Sequence, residues 1–148
     1  MKNRAATRWL ISLTVTFLVL SQSQSPIRVT PLVLQVIPDL LDILDISART
    51  FEFYARKTLH VLAYGALTLT WISTAVAQFP GWRWAVPTAM AVALIIAIID
   101  ESVQATIPHR SGSVCDVLID AGGIVLGYLT ARMIGLTRSN PNAGGLKS

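Results

Sequence analysis

Residues 58–99 read TLHVLAYGALTLTWISTAVAQFPGWRWAVPTAMAVALIIAII. The run at 58–79 holds 22 residues with no formal charge and one histidine, and 81–99 holds 19 with Arg83 as its one charge, near the start. A helix needs about 20 mostly apolar residues to cross the hydrocarbon core of a bilayer. Between the runs stand Pro80 and Gly81, a turn-forming pair. Trp82 and Trp84 follow, and tryptophan suits the membrane–water interface. The stretch predicts an antiparallel hairpin of transmembrane helices over 58–79 and 82–99.

Working outward, residues 114–136 are apolar apart from Asp116, Asp120 and Arg132, and predict a helix over 115–136. Residues 9–20 carry no charge but number only 12, so they reach bilayer length only with residues 5–8, as a helix over 5–21. Lys2, Arg4 and Arg8 before a short apolar run also fit a signal peptide. Residues 21–25 offer no clean A-x-A cleavage site, which favours a retained helix. The expected fold is all-α: an integral membrane bundle of four transmembrane helices in a single domain, residues 1–137. The polar tail at 138–148, with Pro141, Gly144 and Gly145, is expected to be disordered.

Composition agrees. The chain has 148 residues, 53% of them hydrophobic and only 14% charged. A soluble domain carries about 25% charged residues, and a disordered chain is far less hydrophobic. The single cysteine, Cys115, excludes an intrachain disulfide and a Cys-based zinc site. A sequence pI near 9.7 suggests nucleic acid until the charges are placed. With the N-terminus cytoplasmic, Lys2, Arg4, Arg8, Arg83, Arg132, Arg138 and Lys147 fall inside, against Arg28, Arg49, Arg56, Lys57 and Arg110 outside. All the acids, Asp39, Asp42, Asp45, Glu52, Asp100, Glu101, Asp116 and Asp120, then fall on or near the outer side. The basic pI is anchoring charge, and no nucleic-acid partner is expected. Both termini are expected in the cytoplasm and the protein in the cell membrane.

Residues 27–38 contain Pro31 and Pro38 and read as extended chain. At 39–56, charges fall at 39, 42, 45, 49, 52 and 56, which is one helical stripe. This predicts an outer amphipathic helix lying at the interface.

Three polar clusters sit at the outer ends of the predicted helices. Lys57, His60 and Tyr64 share one helix face. Asp100, Glu101 and Gln104 close the next helix. Arg110, Asp116 and Asp120 belong to the last segment, where Asp116, Asp120, Gly123 and Gly127 share a face. Ionisable groups inside a span usually face a bundle interior or a wet cavity. The spacing therefore predicts a shallow outward-opening polar pocket.

In that pocket His60, Glu101 and Asp116 are the candidate catalytic residues, His60 because imidazole titrates near neutrality. Lys57, Tyr64, Asp100, Gln104, Arg110 and Asp120 are candidate substrate-binding residues, with Arg110 and Lys57 suited to a phosphate or carboxylate. Each also has a plain structural role available. His60 can be satisfied by a carboxylate, Lys57 can snorkel, Arg110 can pair with Asp116 or Glu101, and Asp116 can cap its helix. Gly123, Gly127, Ala131 and Gly135 form a small-residue ladder for helix packing, against this chain or a second copy. His60, Asp100, Glu101, His109, Asp116 and Asp120 could supply three or four metal ligands, but no motif such as H-E-x-x-H is present, so no metal and no cofactor are assigned. His109 reads as a solvated loop residue and Cys115 as inert.

The ordered set Lys57-x-x-His60-x-x-x-Tyr64, Glu101-x-x-Gln104, Arg110, Asp116, Asp120, Gly123 and Gly127 resembles the VanZ-like family of small membrane proteins. That family is associated with low-level resistance to the glycopeptide teicoplanin. The resemblance implies a small helical bundle and covers roughly residues 56–127. The family usually has Asn at the position of Asp120. The resemblance supplies no specific reaction, so three classes stay open. One is an envelope-facing protein that acts on or binds a lipid-linked or cell-wall component. Another is a non-catalytic accessory module of an envelope or exopolysaccharide system. A small transporter is disfavoured by the absence of a broken helix or inverted repeat.

Overall fold

A computed structural model describes residues 2–24, 47–107 and 112–137. Among them there is no strand, and the helices are α1 (Lys2–Gln24), α2 (Ala48–Gln78), α3 (Ala85–Gln104) and α4 (Val114–Met133). Each holds a segment apolar enough to cross a membrane, of 19, 30, 20 and 20 residues in chain order. Twenty helical residues rise about 30 Å, the depth of the hydrocarbon core. The chain is an all-α membrane bundle.

The helix ends depart from the sequence expectation for local reasons. Gly81 takes a φ of 79°, and Trp82 N and Ala85 N donate to Phe79 O and Trp82 O, each at 3.1 Å. α3 therefore starts at Ala85 rather than 82. That places Pro87 in the first turn, where its missing N–H breaks nothing. α3 also runs on to Gln104 rather than stopping at 99, because Asp100, Glu101 and Gln104 find partners while still helical. α4 stops at Met133 rather than 136. There Gly135, at a φ of 78°, donates to Arg132 O (3.2 Å) and Leu136 N donates to Ala131 O (2.9 Å). This is a Schellman closure, which needs the left-handed residue that glycine supplies.

α2 is a single helix of 31 residues. Residues 48–56, read above as the end of a separate interfacial helix, are its first turns. No Gly or Pro separates that charged stripe from the apolar run, so nothing breaks the helix. Ser47 caps it, its hydroxyl accepting from Thr50 N at 3.2 Å. The rest of the interfacial helix (39–46), the extended segment (27–38) and the tail (138–148) lie outside the described residues.

α2 is the hub and touches the three other helices. Tyr64 and Leu67 of α2 pack with Ala93, Ile96 and Ala97 of α3, Ile124 of α4 and Val19 of α1. Toward the turn, Ile72, Ala89 and Ala131 form a second cluster. Leu10, Phe17, Leu62, Ile95, Leu118 and Met133 point outward. Such a surface is ordinary where the surrounding solvent is lipid.

The α2–α4 contact rests on small residues. A Cβ on Gly123 would stand 3.0 Å from Val61 Cα, and one on Gly127 would stand 2.9 Å from Thr68 Cβ. The backbones touch, so the partner of Gly123 and Gly127 is α2 of the same chain. α1 is docked by polar contacts as well as by Val15, Val19 and Leu20. Ser12 Oγ and Thr74 Oγ1 are 2.9 Å apart, and Trp71 Nε1 donates to Thr16 Oγ1 at 3.2 Å. Trp9 and Trp71 meet edge to face, 5.7 Å between ring centres.

Candidate functional site

The up-and-down course of α2, α3 and α4 brings three segments to the end of the bundle opposite the 79–84 turn. They are the first half of α2, the last turn of α3 and the first two turns of α4. Seven residues separate Lys57 from Tyr64, so the polar groups extend about 10 Å along the bundle axis. They form three layers.

At the mouth, Lys57 Nζ pairs with Asp116 Oδ1, both side chains partly exposed. Asp116 is not the helix cap. Ser113 is, its hydroxyl accepting from Asp116 N at 3.3 Å. An acid in the first turn suits the positive end of the helix dipole. Because Ser113 does the capping, the Asp116 carboxylate can face Lys57.

One turn deeper, His60 Nδ1 lies 3.3 Å from Asp120 Oδ1. The His60 side chain is 27% exposed and that of Asp120 1%. Glu101 reaches the same layer from α3. Its Oε1 accepts from Gln104 Nε2 at 3.1 Å, and its Oε2 accepts from Ser113 N at 3.3 Å. Below these, Tyr64 OH and Gln104 Nε2 both donate to Asp100 Oδ2, at 3.1 and 3.2 Å. Tyr64 and Asp100 are wholly buried. The His60 and Tyr64 rings lie 27° from parallel with centres 6.3 Å apart.

Lys57, His60, Tyr64, Asp100, Glu101, Gln104, Asp116 and Asp120 thus occupy one end of the bundle. Arg110 and His109 lie outside the described residues. Gly123 and Gly127 serve packing. Gly122 is exposed and a Cβ there would meet nothing within 4 Å. Cys115 is exposed on the first turn of α4.

Two positions without a role in the sequence reading matter here. Ser113 both caps α4 and donates to Glu101. Gly112 brings its backbone so close to the end of α3 that a Cβ would overlap Glu101 O and stand 3.0 Å from Ala105 Cβ. The signal for the first was available in Ser113-x-x-Asp116, a helix-start pattern. Gly112 lacks any such signal, since its neighbour lies on another helix.

Chemically, the middle layer is a partly exposed imidazole oriented by a buried carboxylate, with a second carboxylate beside it. With the proton on Nδ1, His60 donates to Asp120 and presents Nε2 as a base. The mouth carries an ammonium group paired with a carboxylate.

The family model described as VanZ/LLP1 matches residues 8–135. The chain belongs to the VanZ/LLP1 family. No curated protein and no solved structure matches it. The VanZ/LLP1 match takes in α1 from residue 8 onward together with all three site-bearing helices. In this VanZ/LLP1 protein the acid at position 120, where the resemblance leads one to expect an amide, is buried against His60.

Proposed function

We propose that this VanZ-like membrane protein holds its polar site at the outer leaflet and there binds, or acts on, a lipid-linked or cell-wall component of the envelope. The observation that carries the reading is the convergence of His60, Glu101, Asp116 and Asp120 at one end of the bundle. Charge supports the orientation. Among the described residues Arg4, Arg8, Arg83 and Arg132 mark the turn end against Arg49, Arg56 and Lys57 at the site end, and the acids Glu52, Asp100, Glu101, Asp116 and Asp120 all mark the site end. The positive-inside rule, by this small margin of bases, favours a cytoplasmic turn end, and with it cytoplasmic termini. The association of the VanZ-like family with teicoplanin resistance supports an envelope role.

In this reading His60 and Glu101 form the acid/base pair and Asp116 sets the charge at the mouth. Lys57 and Arg110 hold a phosphate or carboxylate of the ligand. Tyr64, Asp100, Gln104 and Asp120 shape the floor. The test is glycopeptide susceptibility, together with a profile of lipid-linked precursors. Cells carrying the wild type are compared with cells carrying His60→Ala, Glu101→Ala or Asp116→Ala at matched abundance. Each variant should lose the effect of the protein on both measurements. Folded variants that behave as wild type overturn the proposal.

A second reading, a non-catalytic accessory module, is favoured by one observation: Lys57 is already paired with Asp116, and His60 with Asp120. On that reading His60→Asn and Glu101→Gln are tolerated.

A further inference from the structure

His60, Glu101 and Asp120 come from three helices, yet one ligand atom of each lies within 4.8 Å of the others. Both carboxylates are buried, Glu101 at 5% and Asp120 at 1% exposure. Asp120 spends one oxygen on His60. Its other oxygen, Oδ2, is buried and has no hydrogen-bond partner among the described residues. An oxygen in that position is costly unless a proton or a cation reaches it. Glu101 is oriented by Gln104 and by Ser113 N, and each of its oxygens keeps a lone pair.

We propose that His60, Glu101 and Asp120 bind a divalent transition cation, with zinc the best match. One imidazole nitrogen and two carboxylate oxygens are borderline ligands. They supply three protein positions and two negative charges, which suits a four-coordinate dication with one position left for water or ligand. Magnesium and calcium ask for six or more oxygens. Zinc holds its ligands at about 2.0–2.2 Å, so neighbouring ligand atoms in a tetrahedral site sit roughly 3.5 Å apart. His60 Nδ1 and Asp120 Oδ1 are already 3.3 Å apart, and a cation bound between them takes the place of the shared hydrogen while Oδ2 turns toward it. The remaining contraction from 4.8 Å is about the size of a side-chain adjustment, with the helices in place. Gln104 and Ser113 are the outer partners that a ligating carboxylate usually has.

The site is invisible to linear motifs because its ligands are spread over residues 60 to 120. With the cation bound, His60 and Glu101 serve as ligands in place of the acid/base pair, so the inference goes beyond the proposed function and stands whether or not the site carries out a reaction.

The experiment uses full-length, tag-free protein in detergent, equilibrated with zinc, desalted and analysed for metal, with thermal unfolding measured alongside. One zinc per chain is expected, with a melting temperature raised by zinc and lowered by a chelator. Cobalt substitution should give the visible bands of a four-coordinate ion. Asp120→Asn keeps the size of the side chain and can still accept from His60. Loss of an outer partner costs about 10–100-fold in affinity, so loss of this ligand should cost on the order of 100-fold or more. Cys115→Ser should bind zinc as wild type does.

Wild-type protein that is monodisperse and carries no zinc above the level of a His60→Ala/Glu101→Gln/Asp120→Asn triple variant overturns the proposal. So does zinc that survives Asp120→Asn but is lost with Cys115→Ser. Should Asp120→Asn fail to fold, Glu101→Gln takes its place, and the wild-type stoichiometry and cobalt spectrum stay decisive on their own.

Discussion

Gly122 and Gly123 are neighbours on α4, and alanine should have opposite effects at the two positions. At Gly122 an added Cβ meets nothing within 4 Å. Alanine is a better helix former than glycine by up to about 1 kcal/mol, so Gly122→Ala should be neutral or stabilising. At Gly123 the new carbon would stand 3.0 Å from Val61 Cα and overlap Val61 O, both of them backbone. Carbon pairs rest at about 3.5–4.0 Å, so α2 and α4 must part by about 0.5–1 Å. A gap of that size forfeits a quarter to a half of the contact energy along the seam. Overpacking of this kind costs about 1–3 kcal/mol, or roughly 5- to 150-fold in the folding equilibrium. His60 and Asp120 flank the same seam at 3.3 Å, so the parting also takes them out of hydrogen-bond range. Reversible unfolding of both variants in mixed micelles, by denaturing detergent or heat, reads the difference. If Gly123→Ala matches wild type, or Gly122→Ala falls as far as Gly123→Ala, the close α2–α4 approach is wrong.

Two further predictions use cysteine chemistry. In a Cys115→Ser background, Ser12→Cys with Thr74→Cys should form an intrachain disulfide on mild oxidation, because the two side-chain oxygens are 2.9 Å apart. A membrane-bound chain that lacks α1, or a pair that never cross-links, refutes a retained and packed first helix. In intact cells Cys115, at the site end, should react with a membrane-impermeant maleimide, whereas Trp82→Cys in the Cys115→Ser background should react only after permeabilisation. The reverse pattern places the site on the cytoplasmic side.

Charge-free length made the spans legible, because a mostly apolar run of 22 residues without a charge is long enough to cross the hydrocarbon core. Periodicity made the faces legible, which is why Lys57, His60 and Tyr64 line one side of α2. Boundaries were harder to read. The charges at 49, 52 and 56 look like the end of a surface helix, yet the backbone has no breaker there and continues. Asp100 and Glu101 look like a helix end, yet Tyr64, Gln104 and Ser113 supply the hydrogen bonds that let α3 carry them inside. Asp116 looked suited to a cap, a place that Ser113 takes three residues earlier. Contacts between helices leave no linear trace. That applies to Gly123 on Val61, to Gly112 on α3 and to the meeting of His60, Glu101 and Asp120.

The length of α2 bears on where the protein can work. Residues 58–78 rise about 31 Å, close to the 20-residue α3 and α4. The ten residues ahead of them add about 15 Å, enough to pass through a head-group region and reach water. The bundle is thus a gauge for bilayers near 30 Å. In a thicker membrane, longer acyl chains would close over Lys57 and Asp116, and the mismatch would be relieved only by local thinning or tilt. Acyl-chain length would then set access to the mouth without changing a single side chain.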